Sequence, residues 1–120
     1  MASVSLKEHL KQAQRNEEFY QSIKENYPDW GGTALFYSAL HYVDAFLMSK
    51  NVFVKDHKDR FLYIEKIVEL RQIHSYYRRL YDYSINTRYN AIIPNIKDVE
   101  ETYKRSFLPF KKFMEDLLQK

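Results

Sequence analysis

The side chains best suited to acid–base or phosphate chemistry are the histidines and the arginines near them in the sequence. His57 and Arg60 are three residues apart, a spacing that puts both side chains on one side of a helix. A guanidinium offers a planar set of donors to a phosphate, and an imidazole exchanges a proton near neutral pH. The pair therefore predicts an anion site, although a solvated helix start over 56–60 is the alternative.

His41 is the candidate for a partly buried acid or base. It follows Tyr37 by one helical turn and precedes Asp44 by three residues, within a strongly apolar segment. The carboxylate of Asp44 could bind one ring nitrogen of His41 and set its tautomer. A buried histidine that merely has a hydrogen-bond partner is the alternative. The other two histidines, His9 and His74, are expected on the surface.

Arg88 is the second candidate for stabilising negative charge. Ser84 precedes it by one helical turn, so the two share a helix face if the helix persists that far, and Tyr89 follows directly. Phosphate binding is one role for Arg88, and complementing the negative end of a helix is the other.

Aromatic residues are unusually frequent in the 120-residue chain, with 11 Tyr, 8 Phe and 1 Trp. Over residues 76–83, four tyrosines are interleaved with Arg78 and Arg79, a pattern that suits phosphate contacts and base stacking, although at helical spacing half of these rings must face a core. The net charge of +3 permits an anionic partner without requiring one. The chain lacks cysteine and shows no metal-ligand cluster or glycine-rich phosphate loop, so neither a metal nor a cofactor is predicted.

The length predicts one domain, and the small numbers of glycine (2) and proline (3) argue against an all-β fold. No apolar run is long enough to span a bilayer, and the first ten residues lack the hydrophobic region of a signal peptide. We therefore expect a cytoplasmic protein without a membrane partner.

Five helices are predicted from periodicity and capping signals. The capping box Ser5-Leu6-Lys7-Glu8 opens the first, and Pro28 is expected to end it after Tyr27. The others are expected from Asp29 to Ser49, from His57 to Arg88 as two helices with a kink near Leu70 or Gln72, and from Asn95 onwards with a kink at Pro109. The connections are expected at 50–55 and 86–94.

The second of these helices is apolar nearly all the way round between Trp30 and Met48. Such a helix must be covered on both faces, so it should lie at the centre of the fold or at an interface between subunits. Gly31 and Gly32 in its first turn should allow another backbone to approach closely. The sequence thus predicts an all-α, up-and-down bundle of four or five helices.

Several blocks between residues 28 and 90 resemble a group of small bacterial and archaeal HEPN-like proteins (the higher eukaryotes and prokaryotes nucleotide-binding superfamily). The blocks are Asp29-Trp30, the sequence ALFYSALHYVDAFL at 34–47, HKDR at 57–60, YRRLY at 77–81 and the stretch 84–89. The resemblance implies a HEPN-like bundle over residues 1–120 that forms a homodimer.

The resemblance also implies a function. Many HEPN members are metal-independent ribonucleases of toxin–antitoxin or defence systems, with a cognate antitoxin as partner, and others bind a nucleotide or a nucleotidyltransferase-like protein without catalysis. The ribonucleases carry an Arg followed after four to six residues by a His, a motif that this sequence lacks. By position in the matching blocks, the catalytic candidates are His41, His57, Arg60 and Arg88, and the substrate-binding candidates are Tyr37, Asp44, Ser84 and Tyr89. In a ribonuclease, His41 or His57 would take a proton from a ribose 2′-hydroxyl, and Arg60 or Arg88 would stabilise phosphate charge.

Overall fold

The computed structural model describes residues 5–90 and 94–119, and every regular element within these ranges is helical. The elements are α1 (Leu6–Ile23), α2 (Pro28–Ser49), α3 (His57–Lys66), a 3₁₀ segment (Val68–Ile73), α4 (His74–Tyr89), α5 (Ile96–Thr102), a π-helical turn (Tyr103–Phe107) and α6 (Leu108–Leu118). The last three follow one another without a break and form one helical rod. The prediction of an all-α bundle is confirmed.

Three of the predicted helix starts carry a side-chain cap. At α1, Ser5 Oγ accepts from the N–H of Glu8 and the Glu8 carboxylate accepts from the N–H of Ser5, both at 3.1 Å. At α5, Asn95 and Asp98 form the same reciprocal pair. Asp56 caps α3 by accepting from the N–H three residues later, at 2.8 Å. These caps satisfy backbone donors that have no partner within the helix.

One predicted boundary is wrong: the first helix ends before Tyr27, the residue at which its end was predicted. α1 ends at Ile23, and Pro28 begins α2 because proline at a first helical position gives up no hydrogen bond. α4 ends at Tyr89, one residue beyond the predicted helix end at Arg88, so the connection predicted at 86–94 begins later than residue 86. Residues 91–93 of that connection lie outside the described residues. The kink expected near Leu70 or Gln72 is confirmed as the 3₁₀ segment between α3 and α4.

A kink is predicted at Pro109, and the structure has a π-helical turn directly before the helix that contains this proline. Proline has no N–H to donate to the carbonyl one turn earlier. The N–H of Leu108 instead reaches back to the carbonyl of Tyr103, a π-type bond. This helical turn therefore contains one more residue than an α-helical turn, and the helix then continues as α6.

The helix α2 is the centre of the bundle and packs against α1, α4, α5 and α6. The expected central position of α2 is confirmed, and one side of the helix is only partly covered in the single chain. Trp30 is 52% exposed, and Tyr37, His41, Asp44 and Met48 are only partly buried. The last four follow a spacing of four, three and four residues, so they form one stripe along the helix. This stripe carries three of the candidate site residues, Tyr37, His41 and Asp44.

Gly32 permits a close approach, although not the predicted approach of another backbone. A Cβ atom at Gly32 would overlap the ring of Tyr83 on α4, whereas a Cβ atom at Gly31 would lie 3.3 Å from the ring of Tyr20. The missing side chain of Gly32 therefore lets α4 lie directly against the first turn of α2. No helix among the described residues combines the length and apolarity that crossing a membrane requires.

Candidate functional site

Most of the predicted site residues meet between the partly exposed stripe of α2, the start of α3 and the end of α4. We call this region the α2–α4 cleft and define it by Tyr37, Asp44, His57, Arg60 and Arg88. Direct contacts link Asp44 to Arg60, Arg60 to His57, and Arg88 to Tyr37. His41 lies on the same stripe of α2, one turn after Tyr37.

Arg60 and Asp44 form a bidentate ion pair. The Nε and Nη2 atoms of Arg60 donate to the two carboxylate oxygens of Asp44 at 2.8 and 3.2 Å. Both side chains are almost buried, with 9% and 12% of their surface exposed. Of the two possibilities for His41, the structure supports a histidine with another partner, because the Asp44 carboxylate is held by a guanidinium from another helix. Most of the Arg60 charge is thereby compensated.

His57 is held as a neutral imidazole beside this pair. Its Nδ1 lies 3.4 Å from Nη1 of Arg60. Burial lowers the pKa of His57 below its usual value, and the charges of Arg60 and Arg88 lower it further. A guanidinium can only donate, so Nδ1 is the acceptor in this contact and the proton of the neutral ring belongs on Nε2. His57 can therefore offer an Nε2–H donor to a ligand.

Aromatic rings fix the imidazole of His57 in place. The ring centres of Phe36 and Tyr81 lie 5.6 and 5.7 Å from that of His57. Phe36 is fully buried, and it also contacts Tyr37 and Tyr81. The polar groups of the cleft are thus backed by a packed aromatic layer, which limits their movement.

Arg88 provides the positive charge of the cleft that lacks a counterion. Its guanidinium carbon lies 5.7 Å from the ring centre of Tyr37 and 5.1 Å from that of Tyr89, and its Nε donates to the carbonyl of Ser84 at 3.2 Å. Across residues 5–90 and 94–119, no carboxylate lies within ion-pair distance of it. Arg88 is half-buried, so it is shielded from solvent more than a surface arginine is.

Two of the predicted substrate-binding residues differ in their availability. Ser84 is fully buried, and its hydroxyl donates to the carbonyl of Tyr81 at 2.8 Å. The prediction that Ser84 contacts a substrate is therefore wrong for this arrangement, because its hydroxyl is turned into the helix. Tyr89 is 71% exposed at the end of α4 and leaves its ring open to a ligand.

His9 is a site residue that the sequence analysis missed. Its Nδ1 lies 3.0 Å from Nδ1 of His41, which is hydrogen-bond distance, and the ring centres are 5.3 Å apart. One ring must donate and the other accept. Burial lowers the pKa of His41, and the charge of His9 lowers it further. The available signal was that His9 precedes the buried Ala13 by one helical turn.

A separate cavity of about 720 Å³ lies on the opposite face of α4 from the cleft. Arg79 and Arg105 line it together with Asp98 and Glu101, so its charges largely cancel. None of the predicted site residues lines it. A phosphate would meet two carboxylates there, whereas in the α2–α4 cleft the one carboxylate is already paired.

The described residues contain no group of three or more His, Asp or Glu side chains that could hold a metal ion. Comparison of the chain with models of known protein families, with curated proteins and with solved structures gave no match.

Proposed function

We propose that this chain is a HEPN-like domain that binds RNA or a nucleotide through a phosphate group in the α2–α4 cleft. The observation that carries the proposal is Arg88, a half-buried guanidinium with no carboxylate partner among the described residues. It lies over Tyr37 and close enough to His57 to lower the pKa of that imidazole. The blocks that resemble HEPN proteins contain all three residues.

The chemistry of the cleft favours a phosphate over other ligands. Arg88 supplies a fork of donors, His57 supplies one neutral donor, and the Arg60–Asp44 pair holds α2 and α3 together. Charge-assisted hydrogen bonds from a guanidinium to phosphate oxygens are short and strong, and they strengthen where solvent is partly excluded. The exposed ring of Tyr89 at the end of α4 offers a surface on which a base can stack.

Binding is tested with uridine monophosphate and with a fluorescent 2′-O-methyl-uridine nonamer, which cannot be cleaved through a 2′-hydroxyl. We expect Arg88→Gln to weaken both affinities by about tenfold, the loss of one charge-assisted contact. Arg71→Gln is the matched control, because Arg71 is an exposed arginine of the 3₁₀ segment outside the cleft. Equal effects of the two substitutions, or no binding by the wild type, would overturn the proposal.

A metal-independent ribonuclease is the second candidate, and the His9–His41 contact favours it. If His41 donates its Nδ1–H to His9, its Nε2 is unprotonated and can act as a base. The lowered pKa of His41 keeps the ring neutral at neutral pH. His41 would take the 2′-hydroxyl proton as the 2′-oxygen attacks phosphorus. The bond to the 5′-oxygen breaks, solvent protonates that oxygen, and a 2′,3′-cyclic phosphate remains.

The enzyme candidate is tested by RNA degradation in the presence of EDTA. Loss of cleavage in His41→Gln and Arg88→Gln, with retained folding, supports it. Equal and negligible rates in the wild type and both variants would leave only the binding function. Arg60→Ala is a poor test, because it leaves the Asp44 carboxylate buried without a partner.

The resemblance also implies partners, which we include in the proposal. Two copies associate through the corner of the bundle where Tyr27 and Trp30 are 58% and 52% exposed, because large exposed aromatic groups are covered on association. Sedimentation velocity tests this: we expect a dimer for the wild type and a monomer for Trp30→Ser. The non-catalytic alternative, an adaptor for an antitoxin or a nucleotidyltransferase-like protein, predicts a stable complex with such a partner and no RNA turnover.

A further inference from the structure

The face of α4 that borders the cleft continues beyond it as a stripe toward the start of that helix. The stripe consists of residues at successive spacings of four, three, four and three: His74, Arg78, Tyr81, Ile85 and Arg88. Residues with this spacing lie on one side of a helix. Two guanidiniums therefore lie on the same face of α4, one at the cleft and one beyond it.

Arg78 is joined to the cleft through shared aromatic rings. Its guanidinium carbon lies 5.4 Å from the ring centre of Phe61 and 6.0 Å from that of Tyr81. The ring of Tyr81 also contacts the imidazole of His57. The ring of Tyr81 thus contacts both His57, a donor of the cleft, and Arg78. It forms a continuous surface between these two residues.

The separation of Arg78 and Arg88 determines what size of ligand can contact both. They are ten residues apart on one helix, which corresponds to about 15 Å along its axis. A guanidinium contacts a phosphate only at about 3 Å, so two different phosphates are needed. A mononucleotide has one phosphate position and a strand has several.

We propose that Arg78 forms a second phosphate subsite, so that the α2–α4 cleft binds a single strand of RNA in preference to a free nucleotide. This inference rests on the proposed phosphate site at Arg88. The strand follows the α4 stripe, with one phosphate at Arg88 and His57 and a later one at Arg78.

Asp82 is the residue that competes with RNA at this second subsite. Its carboxylate lies 3.2 Å from Nε of Arg78, and both side chains are about half exposed, at 51% and 56%. An exposed pair of this kind is held weakly. A phosphate can therefore displace the carboxylate, and removal of the carboxylate should strengthen RNA binding.

The test compares the 2′-O-methyl-uridine nonamer with uridine monophosphate as a function of salt. We expect Arg78→Gln to weaken nonamer binding by about tenfold, to reduce the slope of log affinity against log salt by about 0.7, and to leave mononucleotide binding unchanged. Asp82→Asn breaks the same surface pair and should have the opposite effect on the nonamer. The matched control is Arg79→Gln, because Arg79 is adjacent in sequence and lies over Tyr76 on another face of α4.

The possible results separate this inference from the proposed function. Equal effects of Arg78→Gln and Arg79→Gln on the nonamer would overturn the second subsite, and so would a nonamer that binds no more tightly than uridine monophosphate. If the second subsite is overturned in either way but Arg88→Gln still weakens the binding of both ligands, the proposed function stands. If Arg88→Gln has no effect on either ligand, both fail.

Discussion

The Nδ1 atoms of His9 and His41 lie 3.0 Å apart, although 32 positions separate the two residues in the chain. This contact joins α1 to the polar stripe of α2, next to the Asp44–Arg60 pair. Only one of the two facing nitrogens can carry a proton while the hydrogen bond exists. The contact between the two helices should therefore depend on pH.

We predict that the protein becomes less stable as the pH falls below about 6.5, the usual pKa of histidine. Burial and the charge of His9 lower the pKa of His41 in the folded state, so the unfolded chain binds the proton more readily. The charged neighbours that act on His41 are His9, Asp44 and Arg60, and among them only Asp44 raises its pKa. His57, whose pKa is also lowered, contributes with the same sign.

Urea unfolding at about pH 7.5 and about pH 5 measures this effect. His9→Gln keeps a hydrogen-bond partner for Nδ1 of His41 but removes the charge of His9 that lowers the pKa of His41, so the loss of stability at acid pH should become smaller. His74→Gln is the control, because His74 lies near Glu65 and away from His9. If His9→Gln loses as much stability at acid pH as the wild type, the idea that one proton is shared between His9 and His41 is contradicted.

The Asp44–Arg60 pair leads to a second prediction about stability. Arg60→Gln should lower the free energy of unfolding by about 3–5 kcal/mol, because it leaves a nearly buried carboxylate without its partner. The double substitution Asp44→Asn/Arg60→Gln removes that charge and should be more stable than Arg60→Gln alone. Urea unfolding near neutral pH measures both. A double variant that is the less stable of the two would mean that the pair acts mainly through packing.

The contact between Gly32 and Tyr83 leads to a third prediction. Gly32→Ala should destabilise the protein by about 1–3 kcal/mol, because the added methyl group overlaps the Tyr83 ring and forces α2 and α4 apart. Gly31→Ala, one position earlier, meets the buried ring of Tyr20 at 3.3 Å, a tight contact that needs a smaller shift, and should cost less than Gly32→Ala. Thermal unfolding of both variants gives the comparison. A Gly32→Ala variant as stable as Gly31→Ala would show that the ring moves aside at little cost.

The parts of the fold that the sequence predicted depend on residues close together in the chain. The capping box at Ser5 and the helix start at Asn95 each involve residues three positions apart, and such signals are local. Pro28 was predicted to end α1 but begins α2, whereas near Pro109 a kink was predicted and the structure has a π-helical turn. Proline allows either a helix start or a local change of hydrogen bonding, and packing decides between them.

The parts of the site that the sequence did not predict depend on contacts between helices. Spacing on one helix made Asp44 a possible partner of His41, yet a guanidinium 16 positions away in the chain binds Asp44 instead. His9 was placed on the surface because nothing in its own segment indicates how α1 lies against α2. For Ser84, spacing gave the correct face of the helix but not the direction of its hydroxyl, which donates to the backbone.

The central claim is that a phosphate binds at Arg88 and His57. The most direct measurement is a titration of the ¹⁵N-labelled protein with uridine monophosphate, followed through the arginine Nε–H and histidine ring signals in NMR spectra. The account predicts the largest shifts at Arg88 and His57, with Arg79 and Arg105 of the cavity across α4 unaffected. Largest shifts at Arg79 and Arg105, with Arg88 unmoved, would contradict it.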